Sequence, residues 1–279
     1  MTIGLIGIGL IGGSLGLDLK HRGFTNKVIG CSRKLETAEE AKALGLIDEV
    51  LSKDDLIKQS DLIILSVPVN VLVDELIYVL DRTSTAVVTD MGSTKRSIIE
   101  AVTGHPNRKR FVAAHPMAGT ENSGPKAAFK GLFDDKVAII CDQQNTDSDA
   151  VKVVEDMLNT LKMRVRYMDA AEHDMHAAYV SHISHISSFV LSSTVLDKEK
   201  SSKAILDMAG GGFESTVRLA KSSPKMWSQI FEQNANNMLE VLDTYIKKME
   251  YFRNCIEIGD FAALEKFMSE ANEIKKILK

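Results

Sequence analysis

A chain of 279 residues is long for one hydrophobic core, so two domains are expected. Its 44% hydrophobic and 26% charged residues are ordinary for a globular protein, and a formal charge of −4 supplies no basic footprint. Nucleic acid and acidic membrane surfaces are therefore excluded as expected partners.

The chain opens on an apolar stretch, Ile3 to Leu17, which resembles a signal sequence at first sight. It has no basic leader, is broken by six glycines from Gly4 to Gly16, and is too short to span a bilayer. It reads instead as a strand at Thr2–Ile6, a turn, and a helix at Gly12–Arg22. The turn carries Gly7-Ile8-Gly9-Leu10-Ile11-Gly12, a dinucleotide fingerprint between strand and helix. Gly7 permits a tight turn, Gly9 lets backbone approach a pyrophosphate, and Gly12 lets helix and strand pack closely. The helix N-terminus then offers free N–H groups and a positive dipole end to phosphates.

A second strand, Lys27–Cys31, ends in Ser32-Arg33-Lys34. An acid there would bind the ribose 2′-OH of NAD, whereas a hydroxyl and two cations can accept a 2′-phosphate. The cofactor is thus NADP or NAD, with NADP favoured; solvated loop cations are the other reading. A helix near Thr37–Leu44 follows. Asp61–Val67 is an unbroken apolar run, as in a strand buried on both faces of a parallel sheet. Further strands are expected at Ala86–Thr89, Phe111–Ala114, Val137–Cys141 and Met163–Tyr167. The alternation gives an α/β fold with a Rossmann-type doubly wound, mostly parallel sheet over residues 1–168. Ser66, Val67, Pro68 and Gly92 complete the expected cofactor-binding set.

His115 sits where the run Phe111–Ala114 meets a loop bearing Pro116 and Gly119. A strand end in such a sheet presents its side chain to the ligand crevice, and a base opposite a nicotinamide is what alcohol oxidation requires. A histidine capping the strand end by a backbone hydrogen bond is the alternative.

After Asp169 the pattern becomes helical, with one proline, Pro224, and no convincing strand. Residues 169–279 are expected to form an all-α domain for substrate binding and dimerisation. Met175, Tyr179, His182, Ile186 and Phe189 recur at 4-3-4-3 spacing, and Phe231, Asn234, Met238, Val241, Tyr245, Met249 and Phe252 do much the same. These seams favour a homodimer over a purely internal bundle. A last helix, Phe261–Leu278, closes the chain and is read as leaving no room for an appended regulatory domain. His173, His176, His182 and His185 invite a metal reading, but Glu172 and Asp174 lie upstream of His182 and His185, and no Cys is near, so none is expected. His182 falls on the apolar seam and is read as a core residue. Cys31, Cys141 and Cys255 have neither metal-ligand nor disulfide spacing, which points to the reducing cytoplasm.

Five segments in this order carry a resemblance over nearly the whole chain: Gly-Leu-Ile-Gly-Gly-Ser (9–14), Asp-Met-Gly-Ser-Thr-Lys (90–95), His-Pro-Met-Ala-Gly-Thr-Glu (115–121), Ser-His-Ile-Ser-His (181–185), and Gly210-Gly211-Gly212-Phe213 through Arg218 to Trp227. The sequence resembles the prephenate and arogenate dehydrogenases of tyrosine biosynthesis. That resemblance implies hydride removal from the 4-hydroxyl carbon of a cyclohexadienyl acid, followed by loss of carbon dioxide. It makes His115 the base and Ser93 a catalytic hydroxyl that reaches it, compatibly with a helix N-cap role. It places His185 at the substrate and assigns Arg218 to a substrate carboxylate, with Gly211, Trp227, Thr120 and Glu121 beside them. A core role for Trp227 is equally compatible. The site is then expected in the cleft between the two domains.

One departure stands at Glu214-Ser215, where the family usually has a basic residue and an Asp before the Arg. It leaves prephenate and arogenate both open, with prephenate preferred on resemblance. Another NADP-dependent hydroxy-acid dehydrogenase and a non-catalytic cofactor sensor are the remaining alternatives.

Overall fold

Short apolar segments, each too short for a helix core of its own, pair laterally into one sheet. In the computed structural model, which describes residues 1–277, the first part of the chain runs β1 (Thr2–Ile6), α1 (Leu10–His21), β2 (Lys27–Cys31), α2 (Leu35–Ala43), β3 (Glu49–Val50), α3 (Lys53–Gln59) and β4 (Leu62–Leu65). It continues as α4 (Val69–Leu80), β5 (Val87–Asp90), α5 (Arg96–Val102), β6 (Phe111–Pro116), β7 (Val137–Cys141), α6 (Ser148–Thr160) and β8 (Arg164–Met168). The strands stand in the order β3-β2-β1-β4-β5-β6-β7-β8, parallel except for β6 against β7. The chain leaves β1 in one direction for β2 and β3 and later returns to its other side for β4. That reversal opens a crevice at the carboxyl ends of β1 and β4.

Both faces of the sheet are covered, which is why its strands lack polar alternation. In β4, Leu62 and Ile64 join the core on one face and Ile63 and Leu65 the core on the other, all fully buried. Each such residue contributes about 1.5–3 kcal/mol through its burial. The expected strands and the doubly wound sheet are present, with α1 starting earlier, at Leu10, than the expected Gly12. The two-residue strand β3 and helices α3, α4, α5 and α6 are additions. Helix α3 begins where Ser52 Oγ accepts from Asp55 N.

Beyond Met168 come α7 (Ala170–Ala177), a π turn (Ala178–His182), α8 (Ile183–Glu199), α9 (Gly211–Val217), α10 (Pro224–Gln233), α11 (Ala235–Ile258) and α12 (Phe261–Ala271). Leu278, the expected end of the last helix, lies outside the described residues. Two compact units result, Met1–Asn234 and Ala235–Lys279. The seams differ from the sequence expectation. The π turn inserts a residue into the helical repeat, so His173, Ala177, Ala178 and His182 are buried while Tyr179 is 42% exposed. The second seam breaks at Asn234, which caps α10. Its later part, Tyr245 and Met249 on α11, is exposed. Among the described residues no helix is long and apolar enough to cross a membrane.

Candidate active site

The glycine turn is shaped by contacts that a side chain would break. Gly7 has φ +93°, and a Cβ there would lie 2.4 Å from Ser66 O. A Cβ on Gly12 would lie 2.2 Å from Gly7 O, so strand, turn and helix meet at backbone distance. At Gly9 a Cβ would meet nothing within 4 Å, which leaves open space above the turn. Helix α1 starts at Leu10, and its first intrahelical donor into the turn is Gly13 N, 2.8 Å from Gly9 O. The preceding N–H groups have no side-chain cap and face the start of the crevice. Ile8 and Leu10 turn their side chains into the core, and Ile11 packs on its edge, so only their backbone is available to a ligand. A pyrophosphate fits this cradle.

At the end of β2, Ser32 is half-buried and Arg33 and Lys34 are exposed, and neither cation is ion-paired among the described residues. At the end of β4, Ser66 and Val67 are half-buried, and Pro68 is the N-cap residue of α4. Gly92 sits so close to Leu72 and the Asp90 carboxylate that a Cβ would fall within 2.9 Å of both. Its N–H donates to Asp90 Oδ2 at 2.9 Å.

His115, at the end of β6, is buried at 8% exposure. Its Nδ1 lies 2.8 Å from Nε2 of His173 on α7, and His173 Nδ1 lies 2.8 Å from Asp174 Oδ1. Burial first, then the neighbouring His173, Lys95 and His182, hold the His115 imidazole well below the usual histidine pKa. Below it, the Lys95 ammonium is fully buried, paired with the Asp90 carboxylate and donating to Ala114 O at 2.7 Å. Asp174 accepts from Lys95 N at 2.8 Å and Arg96 N at 3.0 Å and so caps α5.

The helical side contributes a second group. His185 stacks on Trp227 with centroids 3.6 Å apart, and its Nδ1 is 3.1 Å from Ser181 O. Burial lowers its pKa, with Arg218 adding to the effect. Trp227 is itself buried in a small cluster with Val69 and Ile230, and its Nε1 is buried without a hydrogen-bond partner among the described residues. Arg218 Nη1 approaches Glu121 Oε2 at 3.5 Å, which brings the loop after β6 to the C-terminal end of α9. On that loop Thr120 Oγ1 accepts from Asn122 N at 3.2 Å. Gly211 opens α9 and is exposed, with room for a ligand beside it.

A model of the prephenate dehydrogenase nucleotide-binding domain matches residues 15–167, and one of the prephenate dehydrogenase dimerization domain matches residues 169–270. The chain belongs to the prephenate dehydrogenase family. It is an oxidoreductase with a nicotinamide-dinucleotide-binding domain of this family. It is 32% identical to a prephenate dehydrogenase of Bacillus subtilis, over 98% of this chain and 75% of the relative. It is 30% identical to a cyclohexadienyl dehydrogenase of Zymomonas mobilis, over 99% and 96%. The crystal structure of prephenate dehydrogenase from A. aeolicus in complex with hydroxyphenyl propionate and NAD+ superimposes with a TM-score of 0.89 at 29% identity, covering 100% of this chain and 98% of that one.

Within this prephenate dehydrogenase fold one expectation is corrected and one is met. Ser93 is not the N-cap of the following helix: α5 begins at Arg96, and the Asp174 carboxylate supplies the cap acceptors. Nor does Ser93 make a side-chain hydrogen bond among the described residues, so the partner that meets His115 is His173. His182 is a satisfied core residue: Asn234 Nδ2 donates to its Nδ1 at 3.1 Å, and burial lowers its pKa to about 4. At the departure from the family pattern, Glu214 pairs with Lys221 at 3.8 Å and Ser215 Oγ donates to Gly212 O at 2.9 Å. Asp90, Lys95, His173 and Asp174 carry the buried network without having been singled out. Asp90 and Lys95 do frame one of the family segments, and His173 belongs to the histidine-rich stretch.

Proposed function

We propose that this chain oxidises prephenate to 4-hydroxyphenylpyruvate with carbon dioxide loss, reducing a nicotinamide dinucleotide. The observation that carries the reading is a buried neutral histidine, His115, at the end of β6, on the sheet edge that also carries the glycine turn. Removing hydride from a carbinol carbon leaves a cationic oxygen unless a base takes its proton. The bound dinucleotide supplies the hydride acceptor. His115 receives the hydroxyl proton as the carbonyl forms. The ring then breaks its bond to the carboxylate carbon, carbon dioxide leaves, and the electron pair makes the ring aromatic. Ser93, half-buried after Gly92, serves as the hydroxyl that reaches the substrate oxygen when substrate is present. The guanidinium of Arg218 holds a substrate carboxylate by paired charge-assisted hydrogen bonds. Its present contact to Glu121, at 3.5 Å, is long enough to exchange. His185 and Trp227 wall the ring, with Thr120, Glu121 and Gly211 along the rim.

Prephenate is preferred over arogenate because the matching family models and the 32% identical relative are those of prephenate dehydrogenases. NADP is preferred over NAD because Ser32, Arg33 and Lys34 put a hydroxyl and two cations, neither ion-paired among the described residues, where the 2′-phosphate would lie. The nucleotide-binding part is taken as residues 1–168 and the substrate-binding part as 169–279. A homodimer through the helical part is proposed from the exposed apolar residues of α11 and α12, among them Leu239, Ile246, Met249, Ile256 and Phe261. Dinucleotide reduction on adding prephenate or arogenate, each with NADP+ and NAD+, tests the reading. Prephenate with NADP+ is expected to give the highest kcat/KM, and no reduction with either acid overturns it. Ser32→Asp is expected to shift the ratio of cofactor affinities towards NAD+; an unchanged ratio removes the NADP assignment.

A further inference from the structure

The buried polar run His115–His173–Asp174 is not accounted for by ligand contacts. His115 and His173 are 8% and 1% exposed, and their rings meet edge-on with centroids 5.0 Å apart. With His173 as the singly protonated imidazole, the direction of every bond in the run follows from its far end. A carboxylate accepts only, so His173 Nδ1 carries the hydrogen on its 2.8 Å contact with Asp174 Oδ1. A neutral imidazole protonated at Nδ1 presents a lone pair at Nε2. The hydrogen between the rings, 2.8 Å apart, then belongs to His115 Nδ1, which leaves His115 Nε2 unprotonated.

We propose that His173, held by Asp174, is a positioning residue that fixes His115 in its Nδ1–H tautomer, so that Nε2 is the atom that takes the substrate proton. The last clause rests on the function proposed above; the tautomer does not. The charged and titratable neighbours leave this arrangement intact. Lys95 is engaged by Asp90 and Ala114 O, and His182 Nδ1 accepts from Asn234. The two oxygens of Asp174 are fixed by the backbone N–H groups of Lys95 and Arg96 as well as by His173. Nothing in this set is free to donate to His115 Nδ1. The run also places a carboxylate one ring behind His115, where it offsets the charge that appears when Nε2 takes a proton.

Long-range proton–nitrogen correlations of the full-length protein, labelled with ¹⁵N-histidine, read the tautomer without any turnover. His115 is assigned by its loss in His115→Asn. Hydrogen on Nδ1 is the expected result, and hydrogen on Nε2 overturns the inference. Two variants then separate positioning from packing. His173→Gln keeps an acceptor oxygen in reach of His115 Nδ1, and His173→Leu does not. His173→Leu is expected to lower kcat about 10–100-fold, part of the ~10²–10⁴ that a positioned base supplies, with KM for prephenate unchanged. It should also lower the pKa of the acid limb of the kcat profile, because the acceptor that supports the protonated His115 ring is gone, and release His115 to the Nε2–H tautomer. His173→Gln is expected to recover most of the rate and the native tautomer. Equal losses in both variants, or a native rate and pH profile in His173→Leu, overturn the proposal. If the wild-type chain fails to oxidise prephenate, the functional reading falls while the tautomer still decides this one.

Discussion

The glycine turn and the histidine network follow β1 and β6 at the same edge of the sheet but are built from different materials. Around Gly7, Gly9 and Gly12 the recognition surface is backbone, set by the closeness of one turn to Ser66 and of one helix to one strand. Around His115 it is a chain of buried side chains drawn from β5, β6, α7 and the loop before α5. The first is local in sequence and tolerant of which apolar residues surround it. The second spans 84 positions, from Asp90 through His115 to Asp174, and two of its bonds join residues 58 and 79 positions apart. A backbone site fails by steric intrusion; a side-chain network fails by losing a proton partner.

The largest loss is expected at His115 itself. His115→Asn is expected to lower kcat by ~10²–10⁴-fold while substrate binding is kept, since asparagine fills the place without basicity; kinetics with calorimetric titration checks both, and near-normal turnover refutes the assignment. Arg218→Lys comes next. Replacing a fork by a point charge is expected to raise KM about 10–100-fold, because each charge-assisted bond is worth ~1.5–3 kcal/mol. An unchanged KM removes Arg218 from the site.

Acid should discriminate between the two regions as well. Burial keeps His182 neutral down to about pH 4, whereas in the unfolded chain it takes up a proton near 6.5. At this group the unfolded state therefore binds more protons between these values, and the His182 contribution to stability is expected to fall as pH drops from 6.5 to 4, by about 3 kcal/mol at most. Denaturant midpoints measured across this range check the slope, and His182→Phe should flatten it. The smallest effects belong to the glycine turn. Gly12→Ala is expected to cost about 1–3 kcal/mol of stability, since its Cβ would have to displace Gly7. Gly9→Ala should leave thermal stability unchanged and weaken only dinucleotide binding, because its Cβ points into open space. Equal melting shifts in the two variants would contradict the packing described.

The same contrast explains what could be read from sequence. Thr2–Ile6, Lys27–Cys31 and Val137–Cys141 coincide with strands because buried parallel strands are continuous apolar words. The roles of Gly7 and Gly12 were legible because backbone sterics depend on a few adjacent residues. Helix α5 and its cap were not: the cap acceptor is Asp174, far along the chain. Nor could periodicity show that Tyr179 is exposed, since one inserted residue in the Ala178–His182 turn changes the facing side. His173 looked like one member of a histidine-rich helix, and only its contact with His115 distinguishes it.

That inserted residue has a geometric consequence for the site. The helix on either side of the π turn is divided into two segments of different phase. The upstream segment points His173 towards the sheet, and the downstream segment points His185 at Trp227. An ideal helix advances ~100° per residue, so the turn acts as an angular spacer between them. Excising a single residue there would swing everything from Ile183 onwards by roughly that angle. One extra residue thus sets how His173, against His115, and His185, against Trp227, are aimed relative to each other.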